Sequence, residues 1–256
     1  MAYLQRHLIA RLALIVGILL GNSLVRAAQP EETPVVFRMI AIGSAVTGLS
    51  YDLAPGKPVS VAAGGSSLSI PYKSPASGVV SFYREVPSTE PGGKPRRVPV
   101  TDARLGKGGP YLVVMSSPPG STDTSRITAI VVDDSWEAHP VKTVRVFNFS
   151  RRHAAVQLES ETAELASGQS QVFAYPAKRG SVRFKVALHE SDGWILRVSC
   201  PQGILPNARS TIVMTDVVPT EDVPNPVDVN ITNVFDHVPR EKTQGQSPTV
   251  ALNGTR

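Results

Sequence analysis

Residues able to do chemistry are few and scattered in this 256-residue chain. Gly64-Gly65-Ser66-Ser67-Leu68 comes nearest to a nucleophile elbow, but a leucine stands where G-x-S-x-G needs its last glycine. The elbow also needs a strand-to-helix turn, which the surrounding β-type sequence does not offer. Gly56-Lys57, Gly93-Lys94 and Gly106-Lys107 lack the glycine spacing and the following Ser or Thr of a phosphate-cradling loop. His139, His153, His189 and His237 form no H-x-H or H-x-x-x-H pair, so a histidine metal site would need distant strands to converge. His139, ahead of a proline, and His189, beside acids, read as solvated turn residues. A single cysteine, Cys200, excludes an internal disulfide and a cysteine zinc cluster, and reads as packing. The expectation is a protein without catalysis and without a cofactor.

Acids cluster in two places: Asp133, Asp134 and Glu137, then Asp216, Glu221 and Asp222. Carboxylates at a junction suit calcium, which wants six or more oxygens. The spacing matches no calcium loop, and Asp at a strand end commonly serves a turn. The most promising binding feature is a basic stretch at 86–107. It holds Lys94, Arg96, Arg97, Arg104 and Lys107 against Glu90 and Asp102, a local net of +3. A basic loop on a rigid scaffold would attract phosphate or carboxylate polymers, with affinity that fades as salt rises. The plainer reading is a solvated hairpin. Trp136, in the polar link between Asp133 and His139, could stack on a sugar ring or wedge two domains together.

The elements that must carry these residues follow an apparent export signal. Arg6, His7 and Arg11 precede the apolar run Leu12–Leu20, and Val25-Arg26-Ala27 suits a signal peptidase, so cleavage is expected after Ala27. The run is shorter than the ~20 residues of a spanning helix, so membrane attachment is expected only if the segment stays uncleaved. The formal net charge is +5. Residues 1–27 contribute three arginines and no acid, which leaves a mature chain at +2. The basicity is partly a targeting feature, and nucleic acid falls away as a partner. Periplasm, cell surface and extracellular space all remain open.

Beyond Ala27, short runs of Val, Ile, Phe, Tyr and Thr alternate with Gly, Pro, Ser and Asp. Ser181–Leu188 places Val182, Phe184, Val186 and Leu188 on one face and Arg183 and Lys185 on the other. No helical stripe occurs, and Glu159–Leu165 also reads as strand. The chain repeats itself. Phe37-Arg-Met-Ile40 matches Val144-Arg-Val-Phe147, Gly65 matches Gly168, Tyr72 matches Tyr175, and Val80-Ser-Phe82 matches Val182-Arg-Phe184. Tyr111–Gly120 lies over Trp194–Gly203, which places Trp194, Leu196, Val198 and Cys200 on an inner face and Arg197 outside. Two antiparallel, Ig-like β-sandwiches follow, at 34–134 and 140–217, with a partly disordered extension at 218–256. One larger sandwich built from both copies is the alternative. In the extension, Asp228–Phe235 reads as a final edge strand. Asn148, Asn230 and Asn253 lie in N-x-S/T sequons, which matter only in a glycosylating host.

Val144-Arg-Val-Phe-Asn-Phe-Ser150, then Ala154-Ala-Val-Gln-Leu158, and the junction Val131-Val-Asp-Asp134 resemble a family of tandem secreted bacterial β-sandwich repeats with no assigned function. The resemblance covers most of 35–216 and implies an exported or cell-surface setting. It offers no catalytic residue. Arg151-Arg152-His153 departs from it, standing where the family has a Pro-Asp-Ala-Pro turn.

The expected function is a non-catalytic envelope-binding or structural module, contacting an envelope polymer or another envelope protein. A carbohydrate-binding accessory module is one rival, favoured by an exposed row of aromatics. An enzyme with an unrecognised site is the other. Edge strands also leave self-association and strand addition by a partner open.

Overall fold

The computed structural model describes residues 34–90, 92–116, 127–177 and 179–237. Residues 1–33 with the expected export signal, Ser117, Arg126 and the end of the tail with Asn253 lie outside them. The described residues form sixteen strands and no helix, an all-β architecture of two similar pairs of sheets. In the first half, β1 (Val36–Ile42), β4 (Tyr72–Lys73), β7 (Tyr111–Ser116) and β8 (Thr128–Asp133) form an inner sheet in the order β4-β1-β7-β8. Its outer partner joins β2 (Val46–Ala54), β3 (Lys57–Ala63), β5 (Val79–Val86) and β6 (Arg96–Arg104) as β3-β2-β5-β6.

The second half repeats both sheets. Its inner sheet runs β12-β9-β15-β16, from β9 (Thr143–Asn148), β12 (Ser170–Ala174), β15 (Ala208–Asp216) and β16 (Val229–His237). Its outer sheet runs β11-β10-β13-β14, from β10 (Ala154–Leu158), β11 (Glu161–Leu165), β13 (Ser181–Glu190) and β14 (Gly193–Gly203).

Three apolar layers hold four sheets in one stack. Phe37, Met39, Val113 and Met115 of the first inner sheet meet Leu49, Tyr51, Val80 and Phe82 of its outer sheet. Val144, Val146, Ile212 and Met214 meet Val156, Phe184, Val186 and Leu188 in the second half. Between the halves, Ile40, Ile42, Leu112 and Val114 pack on Phe147, Val213 and Val234. The inner strands are therefore buried on both faces. That is why Tyr111–Met115 and Thr143–Phe147 are nearly continuous apolar runs, with the central pairs β1–β7 and β9–β15 parallel. Alternation survives in β13, where one face meets water.

The repeat is real, but one block of it is misregistered. β1 pairs with β7 as Phe37↔Tyr111, and β9 pairs with β15 as Val144↔Ser210. Tyr111–Ser116 thus corresponds to Ser210–Thr215, not to the strand at Trp194. β14 is instead the counterpart of β6. The second half also extends through β16, which corresponds to β8, so its sheet pair does not end at 217.

A bulge corrects the inner-face assignment as well. Val186 pairs with Val198 but Ala187 pairs with Leu196, which skips Arg197 and turns the strand over. Val198 and Cys200 pack on the second core. Trp194 and Leu196 point outward, 43% and 57% exposed. Arg197 grips Glu190 through its Nε (2.9 Å) and Nη2 (2.7 Å).

Candidate functional site

The basic stretch at 86–107 is half strand. β6 is an edge of the first outer sheet and pairs antiparallel with β5 from Val79↔Arg104 to Val86↔Arg96. It answers to β14 in the other half, so only the connection at 87–95 is an added loop. Lys94, Arg96, Arg104 and Lys107 are exposed and form no ion pair among the described residues. Arg97 differs. Its Nη1 donates to Asp52 Oδ2 at 2.8 Å, its Nε lies 3.5 Å from Glu85, and its guanidinium covers the Tyr83 ring at 4.4 Å. Arg97 is thus part of a surface cluster, and four cations remain along and beyond the edge.

Trp136 belongs to a second assembly, at the seam between the halves. Arg209, at the head of β15 and 2% exposed, lies 4.0 Å under the Trp136 ring. Its Nη1 donates to the carbonyls of Asp134 (3.0 Å), Ser135 (3.3 Å) and His139 (2.8 Å). Its Nε donates to Asp236 at 2.9 Å, and its Nη2 lies 3.1 Å from Asp134 Oδ1. The interdomain link is thereby wrapped around one guanidinium, with Trp136 as its cover.

Arg38 crosses the seam from β1. It donates to Asp134 at 2.5 Å and, in a two-pronged contact, to Asp236 at 2.7 and 2.8 Å. Burial alone would raise the pKa of Asp134. The interaction with His139, then the Arg38 hydrogen bond and the charges of Arg209 and Arg38, outweigh it and hold the carboxyl below its ordinary value. Asp236 is lowered against burial in the same way, by Arg38 and then Arg209.

His139 is not solvated. It is 1% exposed, and its Nε2 lies 3.1 Å from the Ser210 carbonyl, which can only accept. The neutral ring with its proton on Nε2 satisfies that contact. Burial lowers its pKa, with Arg145 and Arg209 adding to that and Asp134 opposing. Arg145, the counterpart of Arg38, is 5% exposed. Its Nη2 donates to the Ala138 carbonyl at 3.2 Å, while its buried Nη1 has no partner.

The sequence reading missed this seam. The available signal was an arginine inside an apolar strand in both copies, in Val36-Phe-Arg-Met39 and Val144-Arg-Val146. Of the clustered acids, Asp134 is taken up by arginines here and Asp216 by Arg152 at 3.0 Å, while Asp133 accepts from the Ser135 N–H at 2.8 Å within its own turn. Arg152 also donates to the carbonyls of Val227 (2.6 Å) and Asp228 (3.2 Å), fastening the approach to β16. The departure at Arg151-Arg152-His153 thus has a structural role. Asn148 is buried and donates to the carbonyls of Arg152 and Leu165, so that sequon is inaccessible in the folded chain.

Among the described residues, no three His, Cys, Asp or Glu side chains gather to hold a metal ion. Ser66 and Ser67 line a groove with Arg38 and Asp236, and no histidine lines it. No protein-family model matches the chain, and no curated protein is similar to it.

Proposed function

We propose that this is an exported, non-catalytic module of the cell envelope that binds anionic envelope polymers along β6. One observation carries the reading: Arg96 and Arg104 stand exposed and unpaired on the edge strand, with Lys94 and Lys107 exposed and unpaired in the loops beyond its two ends. At about 3.4 Å per residue, Arg96 and Arg104 lie about 27 Å apart, a length suited to an extended polyanion rather than a single phosphate. Export rests on the signal-like start of the sequence.

Co-sedimentation of residues 28–256 with isolated envelope material tests it. Binding is expected at low salt and should weaken at high salt. It should be lost when Lys94, Arg96, Arg104 and Lys107 are all changed to Gln. Equal binding by both proteins, or none by either, would refute the reading.

A carbohydrate-binding module is the second reading, favoured by the outward face of the other outer sheet. There the exposed Trp194 ring lies 5.7 Å from the His153 ring and 5.1 Å from that of His189. Retained binding to a neutral polysaccharide that disappears in Trp194→Ala would support it over the first.

A further inference from the structure

Among the described residues, eight strands lie at sheet edges, and seven of them are short or guarded. β4 has two residues, β11 and β12 five each, and β8 six. β3 opens with Lys57-Pro58 and is irregular against β2. β6 carries Pro99, three arginines and a register shift, and β14 has a bulge and Pro201. Such devices stop a sheet from acquiring another strand. β16 has none of them. It runs nine residues, Val-Asn-Ile-Thr-Asn-Val-Phe-Asp-His, in unbroken register with β15. It has no proline and no lysine, and its one acid is turned onto Arg38 and Arg209.

This edge strand borders a groove between the halves. Two cavities, about 490 and 240 Å³, are lined by consecutive stretches of it, Asn233–Asp236 and Asn230–Thr232, the smaller also by Val213 and Thr215 of β15. The opposite wall is the segment from Gly65 to Ser69, fastened to β1 by Ala41 N–H to the Gly64 carbonyl and Ser69 N–H to the Met39 carbonyl. A Cβ at Gly65 would come within 2.7 Å of the Gly43 carbonyl, so the wall lies against the β1–β2 turn only because that residue is glycine. Leu68 and Val234, part of the apolar layer between the halves, also line the groove. Among the described residues, the charged ones that line it, Arg38 and Asp236, are paired with each other.

We propose that this groove receives an extended peptide of a protein partner, added to β16 as a fifth strand of the second inner sheet. Main-chain groups of the unpaired edge supply the hydrogen bonds. Neutrality of the groove selects an uncharged segment, and its partly apolar lining selects one with an apolar residue at every second position. Phe235, 40% exposed beside the groove, gains cover from such a strand. This site is separate from the cation strip on β6.

A random dodecapeptide display library selected against the mature protein provides the probe. Uncharged peptides with apolar residues at alternate positions are expected. The variants Thr232→Pro and Asn233→Pro then block the edge. Neighbouring residues of a strand point their N–H groups to opposite sides, so one of the two variants keeps its ladder bond to β15 and its melting temperature. In that variant the selected peptides should lose at least tenfold in affinity. N-methylation of a selected peptide at every second residue should be tolerated in one phase and abolish binding in the other. The proposal is overturned if no peptide is enriched, if peptides bind the folded proline variant equally, or if both phases behave alike. A dimer abolished by the same proline would also overturn it, because the occupant would then be a second copy.

Discussion

Arg38 and Arg145 occupy equivalent positions of the two inner sheets, and both point into the seam between the halves. Arg38 binds two carboxylates, whereas Arg145 has a buried nitrogen without a partner. The cause lies in a third residue. Arg209 stands where the first half has Pro110, and it contacts both Asp134 and Asp236, leaving the seam with three guanidinium groups around two buried acids. Duplication repeated the scaffold, and a single unmatched arginine broke the symmetry of its charges. The edges diverged too. β6 and β14 are counterparts, yet one displays cations and the other a tryptophan and a leucine. Layers buried on both faces had little freedom to change, while the outer faces, exposed among the described residues, diverged.

The largest contrast is expected at the two arginines. Arg38→Leu should destabilise the protein by about 3 kcal/mol, because two partly buried acids lose a partner that Arg209 only partly replaces. Arg145→Leu should be neutral or stabilising by up to about 1 kcal/mol, since it removes a buried charge that lacks full compensation. Urea unfolding of both variants measures the difference. Equal losses would mean that Arg145 is as well satisfied as its counterpart.

Acid sharpens the same contrast. His139 titrates lower when folded than when unfolded, so stability should be full above about pH 6.5 and decline as the pH falls below it. Asp134 and Asp236 are also lowered, which adds a second decline starting near about pH 3.9. Urea midpoints at pH 7.5, 5.5 and 3.5 should fall in that order. The smallest effects belong to the outer faces. Leu196→Ala on β14 should cost less than about 1 kcal/mol by the same measurement, and Arg97→Gln on the first outer sheet should leave the urea midpoint close to that of the unaltered protein.

Much of the architecture was legible where one strand face meets water. Val182, Phe184, Val186 and Leu188 alternate as expected, and all four are buried. Legibility failed where both faces are covered. A doubly buried strand loses its period of two, and Tyr111-Leu-Val-Val-Met115 can then be laid over any apolar run. The repeat in the sequence therefore lies equally well over Trp194–Val198, a strand whose Trp194 and Leu196 meet water. The basic stretch was legible as charge but not as strand, since Pro99 and a bulge disguise β6. The seam was invisible because Arg38, Asp134, Arg209 and Asp236 are spread over nearly the whole length of the described chain.

Four stacked sheets have a directional consequence. At about 10 Å per layer, the two outer faces lie about 30 Å apart and look in opposite directions. The Tyr83–Arg97 face and the Trp194 face can therefore never meet on one flat surface. A single molecule can instead lie between two surfaces and hold them a fixed distance apart, as a double-sided spacer whose thickness is set by its own core.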